Sequence, residues 1–281
     1  MSLKGMISLR KHFKSCDSDI ILSTFLKSGT TWLKGLIFTI LNRGQFAPDS
    51  ANHPLLTCNP HNLVLFFDLQ IYDDENKNPN IENLHNPRIF ATHLPFSLLP
   101  RCISYSNCLI VYICRNPMDQ LISRWLFAVN QCPEYKEASS IEELVEMFQE
   151  GICAFGPFWD HVLEYWNKSL EEKDRILFLK FEDLKEDIIS QITKLADFLG
   201  FLKKKRGVIE EISRLCSIEN LKGLEVNTSG ECIPGLQNNA YFRKGEVGDW
   251  ANYLSSAIAE KIKNLVEEKF KGSGIEFKMT S

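Results

Sequence analysis

Apolar residues recur along this chain in two rhythms. Short, largely apolar runs at 19–25, 88–91, 109–113 and 175–180 read as strands buried on both faces. Between them, apolar positions return every three or four residues, which is the helical period. After the first run comes a short S-G-T-T turn, and then Leu33, Leu36, Ile37, Ile40 and Leu41 predict a helix that Asn42-Arg43-Gly44 stops. After the third run, Asn116 suits an N-cap and Pro117 the first helical position. The helix they open buries Leu121, Ile122, Trp125, Leu126 and Val129. Further helices are predicted over 141–149, 157–170, 187–199, 208–216 and 255–270. Strands alternating with helices predict an α/β fold, a single domain over 1–281 with a central parallel sheet flanked by helices. Residues 1–18 are expected to be a short, loosely ordered N-terminal segment, and the polar stretch 73–86 a surface loop.

Composition adds limits. Hydrophobic residues make up 44% and charged residues 24% of the chain, enough for a sizeable core. The net charge of −4 provides no basic field for nucleic acid or an anionic membrane, so an anionic ligand must be held by local basic residues. The longest apolar stretches, 35–41 and 108–114, fall far short of the roughly 20 residues a membrane helix needs. The N-terminus is basic, with no sustained apolar region or small-residue cleavage site, so the expected compartment is the cytoplasm. Nine cysteines, scattered and never spaced C-x-x-C, suggest neither a zinc site nor a disulfide framework. Most are expected to be small core residues.

Lys27-Ser28-Gly29-Thr30-Thr31-Trp32 lies where a buried strand hands over to a helix. The first amides of a helix lack intrahelical partners and its dipole there favours negative charge, so this is a candidate phosphate turn. Gly29 permits close approach, the hydroxyls of Ser28, Thr30 and Thr31 add donors, and Lys27 adds a point charge. Its lysine precedes the turn, unlike a Walker loop, which disfavours ATP and GTP.

With its neighbours, F-L-K-S-G-T-T-W-L-K at 25–34 closely resembles the signature of cytosolic sulfotransferases. A-T-H-L-P at 91–95, C-R-N-P-x-D-x-x-x-S at 114–123 and F-R-K-G-x-x-G-D-W at 242–250 follow in the family's order. G-P-F-W-D-H-V at 156–162 and F-E-D-L-K at 181–185 are like the plant branch. The resemblance runs from about residue 19 to the C-terminus. It implies a P-loop-like sulfotransferase fold, 3′-phosphoadenosine 5′-phosphosulfate (PAPS) as co-substrate, no metal, a small hydroxylated metabolite as acceptor, and a monomer. It also implies site roles. Lys27, Ser28, Gly29, Thr30 and Thr31 would hold the 5′-phosphosulfate and Trp32 would stack on adenine. Arg115, Ser123, Arg243, Lys244 and Gly245 would hold the 3′-phosphate, and His93 would be the catalytic base. Lys27 would assist the leaving phosphate, and Ser123 would steer Lys27.

These roles make physical sense. Arg115 ends a strand and Ser123 lies about two turns into the following helix, so both can converge above the sheet's carboxyl edge. Arg243, Lys244 and Gly245 bring a fork donor, a point charge and a close amide. A neutral imidazole at His93 can take a proton from an attacking hydroxyl. His161 is expected to pack or cap within its helix, and the run at 203–206 to be solvated. Phe96, Phe127, Phe155 and Phe158 lie beside motifs, either as core or as pocket wall. The chain departs from the family at Leu26, for proline, at Ile218, for a phenylalanine facing adenine, and at Phe181, for tyrosine. Its N-terminus is shorter than in most relatives, which would trim a wall of the acceptor pocket. Two other readings stay open here: a PAPS- or PAP-binding protein that has lost turnover, and a nucleotide phosphotransferase.

Overall fold

The structure is a computed structural model that describes residues 3–72, 79, 81, 84, 86–131, 140–201 and 206–279. In chain order its main elements are α1 (Leu3–His12), β1 (Ile20–Thr24), α2 (Thr30–Asn42), β2 (Ile89–Thr92), β3 (Leu109–Cys114) and α3 (Pro117–Gln131). They continue with α4 (Ile141–Gln149), α5 (Phe158–Glu171), β4 (Ile176–Lys180), α6 (Ile188–Phe198), α7 (Arg206–Leu215) and α8 (Ser256–Lys269). A small hairpin, β5 (Glu231–Ile233) with β6 (Leu236–Gln237), lies outside the main sheet.

The four main strands form one parallel sheet in the order β2-β1-β3-β4. Successive strand residues point to opposite faces. Ile21, Phe90, Ile110 and Tyr112 therefore join one core with α1, α3, α4, α5 and α8. Ile20, Leu22, Val111 and Ile113 join the other with α2, α6 and α7. Both faces are thus covered, as the unbroken apolar runs predict. The strand order reverses at β1, so the carboxyl ends of β1 and β3 flank a crevice suited to a ligand.

The predicted strands and long helices are all present, displaced at their ends by a residue or two. Asn116 caps α3 through its side chain, which accepts a hydrogen bond from the Asp119 amide at 2.8 Å.

The N-terminal segment is a correction. Residues 3–12 form α1, and Leu9 and Phe13 are buried in the core, Phe13 against Phe67 and Phe90. The Asp19 carboxylate, itself buried, anchors the segment by accepting from the Cys16 amide and from Arg88. Cysteines also differ from expectation. Of the described ones, Cys108, Cys114 and Cys216 are buried, Cys16 is exposed, the rest are half-buried, and all are free. Most of the expected loop at 73–86 and residues 203–205 of the basic run lie outside the described residues.

Candidate active site

The turn after β1 has the backbone of a tight anion cradle. Lys27 sits at φ 61° and Gly29 at φ 109°, both left-handed. A Cβ at Gly29 would come within 2.9 Å of the Phe181 ring, so both the conformation and the space call for glycine. Leu26, the departure before Lys27, is pinned by its carbonyl, which accepts from the Gln120 side-chain Nε2 at 2.8 Å. α2 begins at Thr30 with no side-chain cap, so its first amides stay available to a ligand.

Three cations converge on this turn. The Lys27 ammonium lies 4.0 Å from the centre of the Phe127 ring. Burial, then repulsion from Arg115 and Arg243, pushes its pKa down to about 7. Arg115, carried past the end of β3, is 5% exposed and lies over Phe181, with Asp119 at 3.7 Å. The Nε atoms of Arg115 and Arg243 and the Trp32 indole N–H are buried without a hydrogen-bond partner among the described residues. Such orphaned donors are costly unless an acceptor meets them, and a multiply charged anion would.

Lys27, Gly29, Thr30, Thr31, Trp32, His93, Arg115, Ser123, Arg243 and Gly245 all line one cleft. Two predicted residues do not. Ser28 is fully buried beneath the turn. Lys244 turns away to the Asp249 carboxylate at 2.6 Å, where it helps Arg243, at 2.5 Å, to neutralise that group. Ile218 packs beneath Gly245, and Trp32 meets Phe181 edge-on at 5.4 Å, so Phe181 braces the indole.

His93 follows β2 into the cleft. Its Nδ1–H donates to the Thr24 carbonyl at 2.8 Å, and a carbonyl can only accept, so the lone pair rests on Nε2. Burial lowers its pKa to about 3, so the ring is neutral. His161 is not merely a packing residue. Its Nε2–H donates to the His93 carbonyl at 3.0 Å and its Nδ1 lies 3.0 Å from the Tyr112 hydroxyl, so α5 holds the His93 loop in place. Phe155 and Phe66 flank the His93 ring, and Phe127 lines the cleft. Phe158 is core and Phe96 packs on Tyr165.

Sequence reasoning missed Lys34 and His61. Asn59-Pro60 is an N-cap followed by proline, a local helix-start signal that would have placed His61 in a first turn. No local pattern says that this turn meets α2.

The sulfotransferase domain family matches residues 17–274. Cytosolic sulfotransferase 15 of Arabidopsis thaliana is 44% identical over 284 residues, covering 99% of this chain and 79% of that protein. Cytosolic sulfotransferase 14 of the same plant is 45% identical over 286 residues, covering 99% and 82%. Among solved structures, an Arabidopsis thaliana sulphotransferase superposes with a TM-score of 0.78 at 39% identity, over 98% of this chain and 84% of that one. A mouse sulfotransferase complexed with PAP gives 0.77 at 27%, over 97% and 90%. The cleft therefore sits in a known frame: the chain is a sulfotransferase and belongs to the plant cytosolic sulfotransferase family.

Proposed function

We propose that this sulfotransferase moves a sulfuryl group from PAPS to a hydroxyl of a small metabolite, with His93 as general base. The observation that carries the proposal is the meeting of Lys27, Arg115 and Arg243 with a neutral histidine in one cleft. The PAP complex of the mouse relative supports the choice of donor.

PAPS, when bound, supplies a sulfuryl group attached to a phosphate leaving group. The turn amides, Thr30, Thr31 and Lys27 hold its 5′ end, and Arg115, Ser123, Arg243 and the Gly245 amide hold the 3′-phosphate. His93 Nε2 takes the proton of the acceptor hydroxyl as the acceptor oxygen bonds to sulfur. The bond from sulfur to the phosphate oxygen breaks in line, and its electron pair stays on that oxygen, where the Lys27 ammonium meets the charge. The bound anion offsets the low basicity of His93, since negative charge nearby favours the imidazolium. Phe66, Phe127, Leu69 and Tyr241 make the adjoining wall apolar, which suits a flat or hydrophobic acceptor.

Calorimetric titration of PAP into wild type and His93→Ala, with transfer from labelled PAPS to a panel of phenols, steroids and other alcohols, tests this. Both proteins should bind PAP and only wild type should label an acceptor. PAP binding with no acceptor labelled by wild type would leave a binding protein. No PAP binding would remove the donor assignment.

A further inference from the structure

Thr31 and Lys34 lie three residues apart in α2, on one helical face. Lys34 has no exposed surface, and a lysine that deep needs partners. Its Nζ is 3.0 Å from His61 Nδ1 and 3.5 Å from the centre of the Phe66 ring. His61 is 2% exposed, stacks on Phe66, and places Nε2 2.9 Å from the Thr31 hydroxyl oxygen. The Asn59 side chain fixes the first turn that carries His61 by accepting from its amide at 2.9 Å.

The chemistry of this chain of contacts has a direction. Burial, with the charges of Lys34, His93 and Lys27, holds His61 far below the usual imidazole range, so the ring is neutral and has one donor and one acceptor nitrogen. Burial also drives Lys34 down; Nζ only donates as the ammonium and can donate or accept as the amine, and the nearby Asp68 carboxylate and the Phe66 ring face favour the donating form. With Lys34 donating to Nδ1, His61 must carry its proton on Nε2 and donate to Thr31. The Thr31 oxygen is then an acceptor in that contact, and its own proton is left for a group in the cleft that Thr31 lines.

We propose that Lys34 and His61 are positioning residues that turn the Thr31 hydroxyl into a donor to the 5′-phosphate of the bound nucleotide. This rests on the PAPS assignment above. It predicts an effect confined to the 5′ end, because the contacts of the two residues run to Thr31, Phe66 and Tyr241.

The test compares PAP with adenosine 3′-phosphate, which lacks the 5′-phosphate, by calorimetry on wild type, His61→Gln, His61→Leu and Lys34→Met. His61→Leu should weaken PAP about tenfold, the loss of one hydrogen bond to a charged group, and leave adenosine 3′-phosphate unchanged. His61→Gln keeps an N–H donor near the Nε2 position and should retain most of the PAP affinity. Nitrogen-15 spectra of the histidines should show the Nε2–H form for His61 in wild type and a mixture in Lys34→Met, which also keeps the test alive if His61→Leu folds poorly. Equal weakening of both nucleotides, no weakening of PAP in His61→Leu, or an Nδ1–H form in wild type would overturn the proposal. Failure of wild type to bind PAP is a separate result, and it removes the donor assignment beneath it.

Discussion

Gly245 shows how much a single methyl group can decide in this cleft. It sits at φ 65°, and a Cβ there would lie 2.4 Å from Ile218 Cδ1. Gly245→Ala should therefore weaken PAP at least about tenfold, through left-handed strain of roughly 1–2 kcal/mol and displacement of Ile218. Calorimetry would show it, and adding Ile218→Val, which removes the clashing carbon, should restore part of the loss. The R-K-G motif names the glycine, but only the fold reveals that an isoleucine from a separate turn lies beneath it. Lys27 gives a second prediction. Its pKa in the free protein is near 7 and the anion binds the ammonium form, so PAP affinity should fall as pH rises above about 7, by at most about tenfold per unit. Below that pH Lys27 contributes no change. Titrations across pH 6–9 should show this slope, and Lys27→Met should bind more weakly and lack it. The same shift has a stability sign: the unfolded lysine holds its proton up to its ordinary value, so the penalty for burying it is full below pH 7 and lessens as pH rises from there.

Between elements, the telling contact is Asp119, which joins α3 to the loop carrying Arg243 and Gly245. Its Oδ2 accepts from the Gly248 amide and from the Asn116 side chain, each at 2.8 Å, and its Oδ1 accepts from the Trp250 amide at 3.0 Å. Arg115, Ser123, Arg243 and Gly245 line one cleft because this carboxylate staples two distant segments. Asp119→Ala would leave buried amides without acceptors, at a cost of about 1–3 kcal/mol for each. We expect urea unfolding to show a loss of about 3 kcal/mol, with weaker PAP binding as the loop loosens. The cap role of Asn116 was legible in the sequence, since Asn-Pro at a strand end is a local signal. Asp119 was visible as a motif position, but its partners arrive from the other end of the chain. The place of Lys244 was not legible for a related reason. Its spacing from Arg243 is compatible with the ligand or with Asp249, and the fold of the loop selects Asp249.

Across the molecule, the buried pair of Arg88 and Asp19 fastens the N-terminal segment to the sheet. Arg88 donates from Nε at 2.7 Å and from Nη2 at 2.6 Å to the two carboxylate oxygens, and Nη2 also reaches the Lys14 carbonyl at 3.0 Å. Removing one partner of a buried pair strands the other, so Arg88→Met should destabilise the protein by about 3–5 kcal/mol and lower its melting temperature. PAP affinity at low temperature should hardly change, because the pair lies at the amino ends of β1 and β2, opposite the cleft. By itself the sequence determined the strands, the long helices, the turn at Lys27 and the family, because periodicity, caps and spaced motifs are carried by neighbouring residues. Only the tertiary structure decided that residues 3–12 form a helix packed on the core, that Ser28 is buried beneath its turn, that His161 holds the His93 loop and that Lys34 and His61 stand behind Thr31. Each of those depends on which distant segments meet at the sheet, and packing rather than local pattern settles that.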